Sequence, residues 1–165
     1  MKIFIRIIAI IIVFQSCKIL KPALLPPTVK VNALITDYKY VLISNSSDKN
    51  SNTNILYKSG NNISNTSISQ SANPKDIITG FLLKKGFIIL PETKDNLLDK
   101  TLIVNYGESG KRMTGLGGYT LEATISFVSA KSYNVVASCS AEGQGSSESD
   151  DIRLAITRCL NAIFQ

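Results

Sequence analysis

The 165-residue sequence predicts an α+β fold: a two-layer sandwich whose mixed, mostly antiparallel sheet carries two helices on one face. Three observations predict it. Residues 120–127 alternate polar and apolar side chains, the period of a half-buried strand. Residues 73–86 hold an apolar helical pattern between a start and a stop signal, and residues 147–163 carry an apolar stripe at helical spacing. One-sided strands and one-sided helices bury their apolar faces by packing on each other.

The chain opens with Lys2 and Arg6 and an apolar run from Ile7 to Phe14, the length of a secretory leader. A membrane-spanning helix needs about 20 apolar residues, and Arg6 interrupts this run. Phe14-Gln15-Ser16-Cys17 then matches a lipoprotein box, with an apolar residue three places before a cysteine and a small one just before it. The expectation is a signal peptide over 1–16 and lipid attachment at Cys17. The alternative is a buried N-terminal element followed by an ordinary cysteine. Each buried lipid methylene contributes about 0.8 kcal/mol, and stable attachment takes more than one chain. Lys18 stands where an inner-membrane retention signal would have Asp, and Lys18 to Lys21 holds no acidic cluster. Both point to an outer-membrane anchor with the domain facing the periplasm. Pro22, Pro26 and Pro27 make residues 17–30 a proline-containing tether.

Removing the leader leaves about 149 residues, enough for one domain over 31–165 with its own core. It also lowers the formal charge of +6 by two, because Lys2 and Arg6 leave. No Lys/Arg cluster tracks a phosphate backbone, so nucleic acid is discounted as a partner.

Val31 to Ile43 reads as the first strand, with Val41 and Ile43 on one side and Tyr38, Tyr40 and Leu42 on the other. Residues 44–73 are roughly two-thirds Ser, Asn or Thr, a composition that predicts a long loop with at most one short strand, near Ile55-Leu56-Tyr57. Asn73-Pro74-Lys75-Asp76 then starts a helix: Asn caps, Pro suits the first position and Asp faces the positive end of the dipole. Ile77, Ile78, Phe81 and Leu82 give it an apolar face, and Gly86 ends it. Phe87 to Leu90 reads as a buried strand stopped by Pro91, and a polar loop follows to Lys100. The crossover between the first strand and this one is expected to be right-handed.

Thr101 to Tyr106 is the next strand, and Gly107 to Gly118 reads as a long hairpin loop with a bulge. Leu121, Ala123, Ile125 and Phe127 form the buried face of the following strand, opposite Thr120, Glu122, Thr124 and Ser126. Lys131 to Tyr133 turns the chain, and Val135, Ala137, Cys139 and Ala141 return antiparallel. Ser147-Glu148-Ser149-Asp150 approximates a capping box for the last helix, whose stripe is Ile152, Ala155, Ile156, Cys159, Leu160 and Ile163.

The chemistry-bearing residues are few. The chain has no histidine, which removes Ser-His and Cys-His pairs and the commonest zinc ligand. No metal or other cofactor is expected. Gly110-Lys111 fails as a phosphate loop, because Asn105 and Arg112 occupy the positions that need Gly and Ser/Thr. Lys111 and Arg112 remain candidates for contact with an anion or a partner. Asp150 and Asp151 sit at a helix start, where acids compensate the dipole. Glu142, Glu148 and Lys111 would make a polar cluster if the fold joined them. Cys139 lies roughly 20 Å along its strand from the intervening turn at about 3.3 Å per residue, and Cys159 roughly 15 Å along its helix at about 1.5 Å per residue. The two sulfurs meet if the helix folds back on the sheet; the alternative is two buried free thiols.

With these segments in hand, residues 73–164 resemble small Bacteroidetes outer-membrane lipoproteins of undefined function. The likeness rests on Gly80-Phe81-Leu82-Leu83-Lys84-Lys85-Gly86-Phe87, Leu102-Ile103-Val104-Asn105-Tyr106-Gly107 and Ala141-Glu142-Gly143-Gln144-Gly145. It implies a periplasmic α+β lipoprotein domain and offers no catalytic residues. The functional expectation is a non-enzymatic, lipid-anchored envelope module that meets a protein partner. A lipoprotein holding a lipid, glycan or peptide is the alternative, followed by an envelope hydrolase.

Overall fold

The computed structural model describes residues 23–44, 49–59, 62–114 and 118–165. The leader, the lipobox and Cys17 lie outside the described residues, as do residues 115–117 of the glycine-rich segment. Six strands form the main sheet: β1 (Thr28–Val31), β2 (Tyr40–Ile43), β5 (Ile88–Leu90), β6 (Thr101–Thr114), β7 (Gly118–Ser129) and β8 (Val135–Gly143). Their order is β1-β8-β7-β6-β2-β5. β2 runs parallel to both β5 and β6, and the other pairings are antiparallel. The helices α1 (Pro74–Lys84) and α2 (Glu148–Ile163) supply the second layer. This is the α+β two-layer arrangement the patterning predicts.

Both helices begin as their sequences dictate. The Asn73 side-chain oxygen accepts from the Lys75 backbone N–H at 2.9 Å, and Pro74 occupies the first helical position. Ser147 Oγ accepts from the Asp150 N–H at 3.3 Å. Gly86, at φ 88°, takes the left-handed conformation that closes α1. Ile78 and Leu82 of α1 and Ile152, Ala155, Ile156, Cys159 and Leu160 of α2 are buried against Val41, Val104, Leu121, Ile125, Phe127 and Ala137. Each fully buried Leu, Ile or Phe among them contributes about 1.5–3 kcal/mol. Phe164 closes the core at one end, its ring 5.8 Å from Phe81, 5.8 Å from Phe87 and 5.7 Å from Phe127.

The expected first strand is two strands. β1 pairs with β8 at one edge of the sheet, while β2 lies between β6 and β5 near the other edge. No continuous strand can join them, because β8, β7 and β6 lie between. The chain leaves β1 by donating both Asn32 and Ala33 N–H groups to Val136 O, at 2.8 and 3.2 Å. It crosses the end of the sheet through a 3-10 turn, Ile35–Asp37, that buries Ile35. The C-terminal part of the expected tether, from Thr28, is therefore sheet.

Residues 107–114, expected as loop, extend β6 and pair with β7 out to Thr114↔Gly118, with a register shift between Glu108 and Gly110. The bulge was expected; the long ladder around it was not. A glycine at φ 155° lets the strand absorb an extra residue and resume pairing. The Ser/Asn-rich region, expected as a loop over 44–73, contains two paired strands, β3 (Lys49–Ser59) and β4 (Asn62–Ala72), in a separate antiparallel sheet. Backbone pairing does not depend on an apolar face. Asp95–Lys100 forms a 3-10 helix within the expected polar loop, and Thr101 Oγ1 donates to Leu97 O at 2.7 Å.

A second register shift, between Phe127 and Val128, moves the return strand by one residue. Val135 consequently stays exposed and Val136 is buried, whereas the unbroken alternation predicted Val135 inside.

Candidate functional site

The pairing of β6, β7 and β8 places Arg112, Thr120 and Glu142 at one end of the sheet, on the face away from the helices. Arg112 Nε donates to Glu142 Oε1 at 2.6 Å and Nη2 to Oε2 at 2.8 Å, a two-point ion pair. Glu142 is buried. Its carboxylate also accepts from Thr120 Oγ1 at 3.2 Å and from the Leu25 backbone N–H at 2.9 Å. The Arg112 guanidinium, helped by Leu25 and Thr120 and opposed by burial, holds the Glu142 carboxyl down to about 2. Thr120, expected on a solvated face, is buried because its hydroxyl serves this carboxylate.

The same cluster grips the incoming chain. Arg158, on α2, donates from Nη1 to Glu142 O at 2.5 Å and from Nη2 to Leu25 O at 2.7 Å. Arg112 Nη2 approaches Ala23 O at 3.4 Å. Ala23 to Leu25, which on the sequence belong to the tether, are held by two arginines and a glutamate before β1 begins. Nothing in the spacing marks Arg158, because its role depends on the helix lying across β8.

Lys111 points to the helical side instead. Its Nζ lies 3.4 Å from Glu148 Oε1 and 4.6 Å from the centre of the Tyr119 ring. Lys111 and Arg112 thus both have internal acidic partners, so an added anion at either position competes with a carboxylate already in place. Glu142 and Glu148 do not share one cluster; they lie with separate cations on opposite faces. Asp150 accepts from the hydroxyls of Ser146 and Ser147, at 2.5 and 3.0 Å, and so takes part in capping. Asp151 is buried and accepts from the Gly145 N–H; burial first, then the neighbouring acids, pushes its carboxyl upward.

Cys139 and Cys159 are joined in a disulfide, with Cα atoms 5.5 Å apart. Both are buried, so the bond ties α2 to the central part of β8 from inside the core. Among the described residues, no group of three or more His, Cys, Asp or Glu is placed to hold a metal ion.

At the opposite end of the sheet, a cleft of about 530 Å³ opens between the β1–β2 crossing and the C-terminal ends of α1 and α2. Leu34, Ile35, Phe87, Ile163 and Phe164 line it, with Lys39 and Lys85 as its charged side chains.

No protein-family model and no curated protein matches the chain. Among solved structures it is similar to a single-substitution variant of the PelC dodecamer from Paraburkholderia phytofirmans, at 17% identity and a TM-score of 0.46, over 83% of this chain and 96% of that one. A second crystal form of the PelC dodecamer from the same organism gives 15% identity and a TM-score of 0.44 over the same shares. At this level the likeness carries no functional inference.

Proposed function

We propose that the chain is a non-enzymatic envelope lipoprotein, anchored in the outer membrane through lipid on Cys17, whose α+β domain faces the periplasm and meets an envelope protein as an interaction or accessory module. The observation that carries this reading is the lipobox Phe14-Gln15-Ser16-Cys17 directly behind a basic, apolar leader. Two features of the fold support it. A disulfide between Cys139 and Cys159 suits an oxidising compartment outside the cytoplasm. The bonds from Arg112, Glu142 and Arg158 to Ala23–Leu25 give the domain a fixed point where the N-terminal segment enters.

The fixed point sets a distance. Cys17 stands six positions before Ala23, and a fully extended chain spans at most about 3.3–3.6 Å per residue. Chain length therefore limits a lipid on Cys17 to roughly 20 Å from Ala23. The domain is held near the bilayer, with the β1–β2 crossing at the end away from the anchor.

Metabolic labelling with a fatty-acid analogue tests the anchor. The full-length chain should take up label and fractionate with the outer membrane, and Cys17→Ser should abolish both. Unchanged labelling of Cys17→Ser would overturn the reading. Crosslinking in intact cells tests the second half of the proposal and should capture one defined envelope protein; capture of none would remove the partner.

A further inference from the structure

We propose that the cleft at the anchor-distal end binds a single-chain amphiphile with an anionic head, the chain lying on Phe87, Phe164 and Ile35 and the head at Lys39 and Lys85. The inference stands on the geometry of the cleft and does not depend on lipidation of Cys17.

A volume of about 530 Å³ falls within the roughly 300–1,000 Å³ of small-molecule sites. The lining is mainly apolar: Leu34, Ile35, Phe87, Ile163 and Phe164 face the space, and no described residue fills it. The floor is aromatic, with Phe164 packed among Phe81, Phe87 and Phe127. Leu34 is 66% exposed on the crossing, a large apolar side chain left at the cleft with water as its neighbour. Such a surface gains by covering it with hydrocarbon.

The side-chain charge on the lining, which also includes Gln165, is one-sided. No Asp or Glu side chain contributes to it, while two lysines do. Lys85 is pre-positioned: its Nζ donates to Phe164 O at 3.3 Å and stands 5.7 Å from the Phe81 ring centre and 5.8 Å from that of Phe164. An ammonium carries three donors, so the bond to Phe164 O leaves donors for a ligand. Lys39 is fixed through its backbone, donating to Lys100 O at 3.0 Å and accepting from Ile88 N–H at 3.0 Å. Among the described residues its side chain forms no ion pair. A neutral apolar ligand would gain nothing from the two ammonium groups, and a cationic amphiphile would be repelled. A carboxylate or a phosphate head meets both requirements, so the free acid and the phospholipid-derived ligand share the necessary chemistry.

Calorimetric titration of the full-length chain carrying Cys17→Ser, which removes any lipid of its own, separates the outcomes. The probes are laurate, dodecyl phosphate, dodecanol and dodecyltrimethylammonium, each below its micellar concentration. At least one of the two anions should bind saturably, at one per chain and at least tenfold more tightly than dodecanol or the cation. Preference for laurate points to a free fatty acid as the source, and preference for dodecyl phosphate to a phospholipid. Lys39→Ala with Lys85→Ala should weaken the preferred anion at least tenfold and leave dodecanol unchanged. Leu34→Glu, at an exposed position, should weaken laurate, dodecyl phosphate and dodecanol. No saturable binding of either anion, equal binding of dodecanol, or indifference to both variants would overturn the proposal.

Discussion

Arg112 and Glu142, thirty positions apart, meet in a two-point ion pair of 2.6 and 2.8 Å at the place where the N-terminal segment joins the sheet. A buried carboxylate needs its charge and lone pairs satisfied, and here a guanidinium, a hydroxyl and the Leu25 amide satisfy them. Folding lowers the Glu142 carboxyl from 4.5 to about 2. A depressed acid contributes stability that is complete above its unfolded value and disappears as pH falls through its folded one. The window is therefore pH 4.5 down to about 2. Glu142→Gln should lower the urea midpoint clearly at pH 7, and the gap to the unsubstituted protein should narrow steadily across that window. A gap independent of pH would show that the carboxylate charge is not what the pair contributes.

The disulfide makes a second expectation. Cys139 and Cys159 are 20 positions apart. Closing a loop of this size in the unfolded chain is worth about 3 kcal/mol in the chain-entropy description. The double variant Cys139→Ala with Cys159→Ala should lose about that much in equilibrium denaturation. Adding a reductant should shift the unsubstituted protein toward the double variant and leave the variant itself unmoved.

Gly143 lies where the backbone of α2 packs directly on β8. A Cβ built there would run into the backbone oxygen of Asp151, and the Ala155 amide nitrogen would be only 2.8 Å away. Both obstacles are helix backbone, which cannot rotate aside as a side chain can. Gly143→Ala should therefore force α2 off the sheet at its first turn and cost about 1–3 kcal/mol, the usual range for overpacking. Gly80→Ala is the control: beyond its own stretch of helix no described atom lies within 4 Å of its added Cβ, and alanine is favoured in helices. It should hold or raise the melting temperature.

These residues also show where the sequence was readable. The helix starts at Asn73 and Ser147 were legible because capping is local: the side chain and the amides it serves lie within three residues. Leu121 to Phe127 was legible because a one-sided sheet imposes alternation on each strand separately. The cysteines could be placed within reach of each other but not joined, because the fold-back of the helix lies outside either segment. β1 was hidden behind Pro26 and Pro27, which read as tether, and the four residues that follow are all exposed, so no buried face marks them. The outer half of β6 was hidden for a similar reason: Gly107 to Met113 holds no buried residue, and only the ladder with β7 makes it a strand. Arg112, Glu142 and Arg158 meet through three elements at once, β6, β8 and α2. No spacing along the chain announces such a meeting.

The grip on the N-terminal segment can be loosened without touching the core. Arg158 reaches Leu25 O with one nitrogen and Glu142 O with the other, so it ties the segment, β8 and α2 together. Its removal leaves the Arg112–Glu142 pair intact and leaves β1 paired to β8 from Thr28 onward. The segment before β1 should then detach on its own, while the domain stays folded. In Arg158→Ala, hydrogen exchange at the Leu25 amide, which donates to Glu142 Oε2, should quicken at least tenfold; a tenfold change corresponds to about 1.4 kcal/mol of lost local protection. Amides in the centre of β7 should exchange as before. Lys111→Ala, which breaks the ion pair with Glu148 on the opposite face, should leave Leu25 unchanged. If both variants affect Leu25 alike, the segment is held by the general charge of this end of the domain, not by the bonds from Arg158.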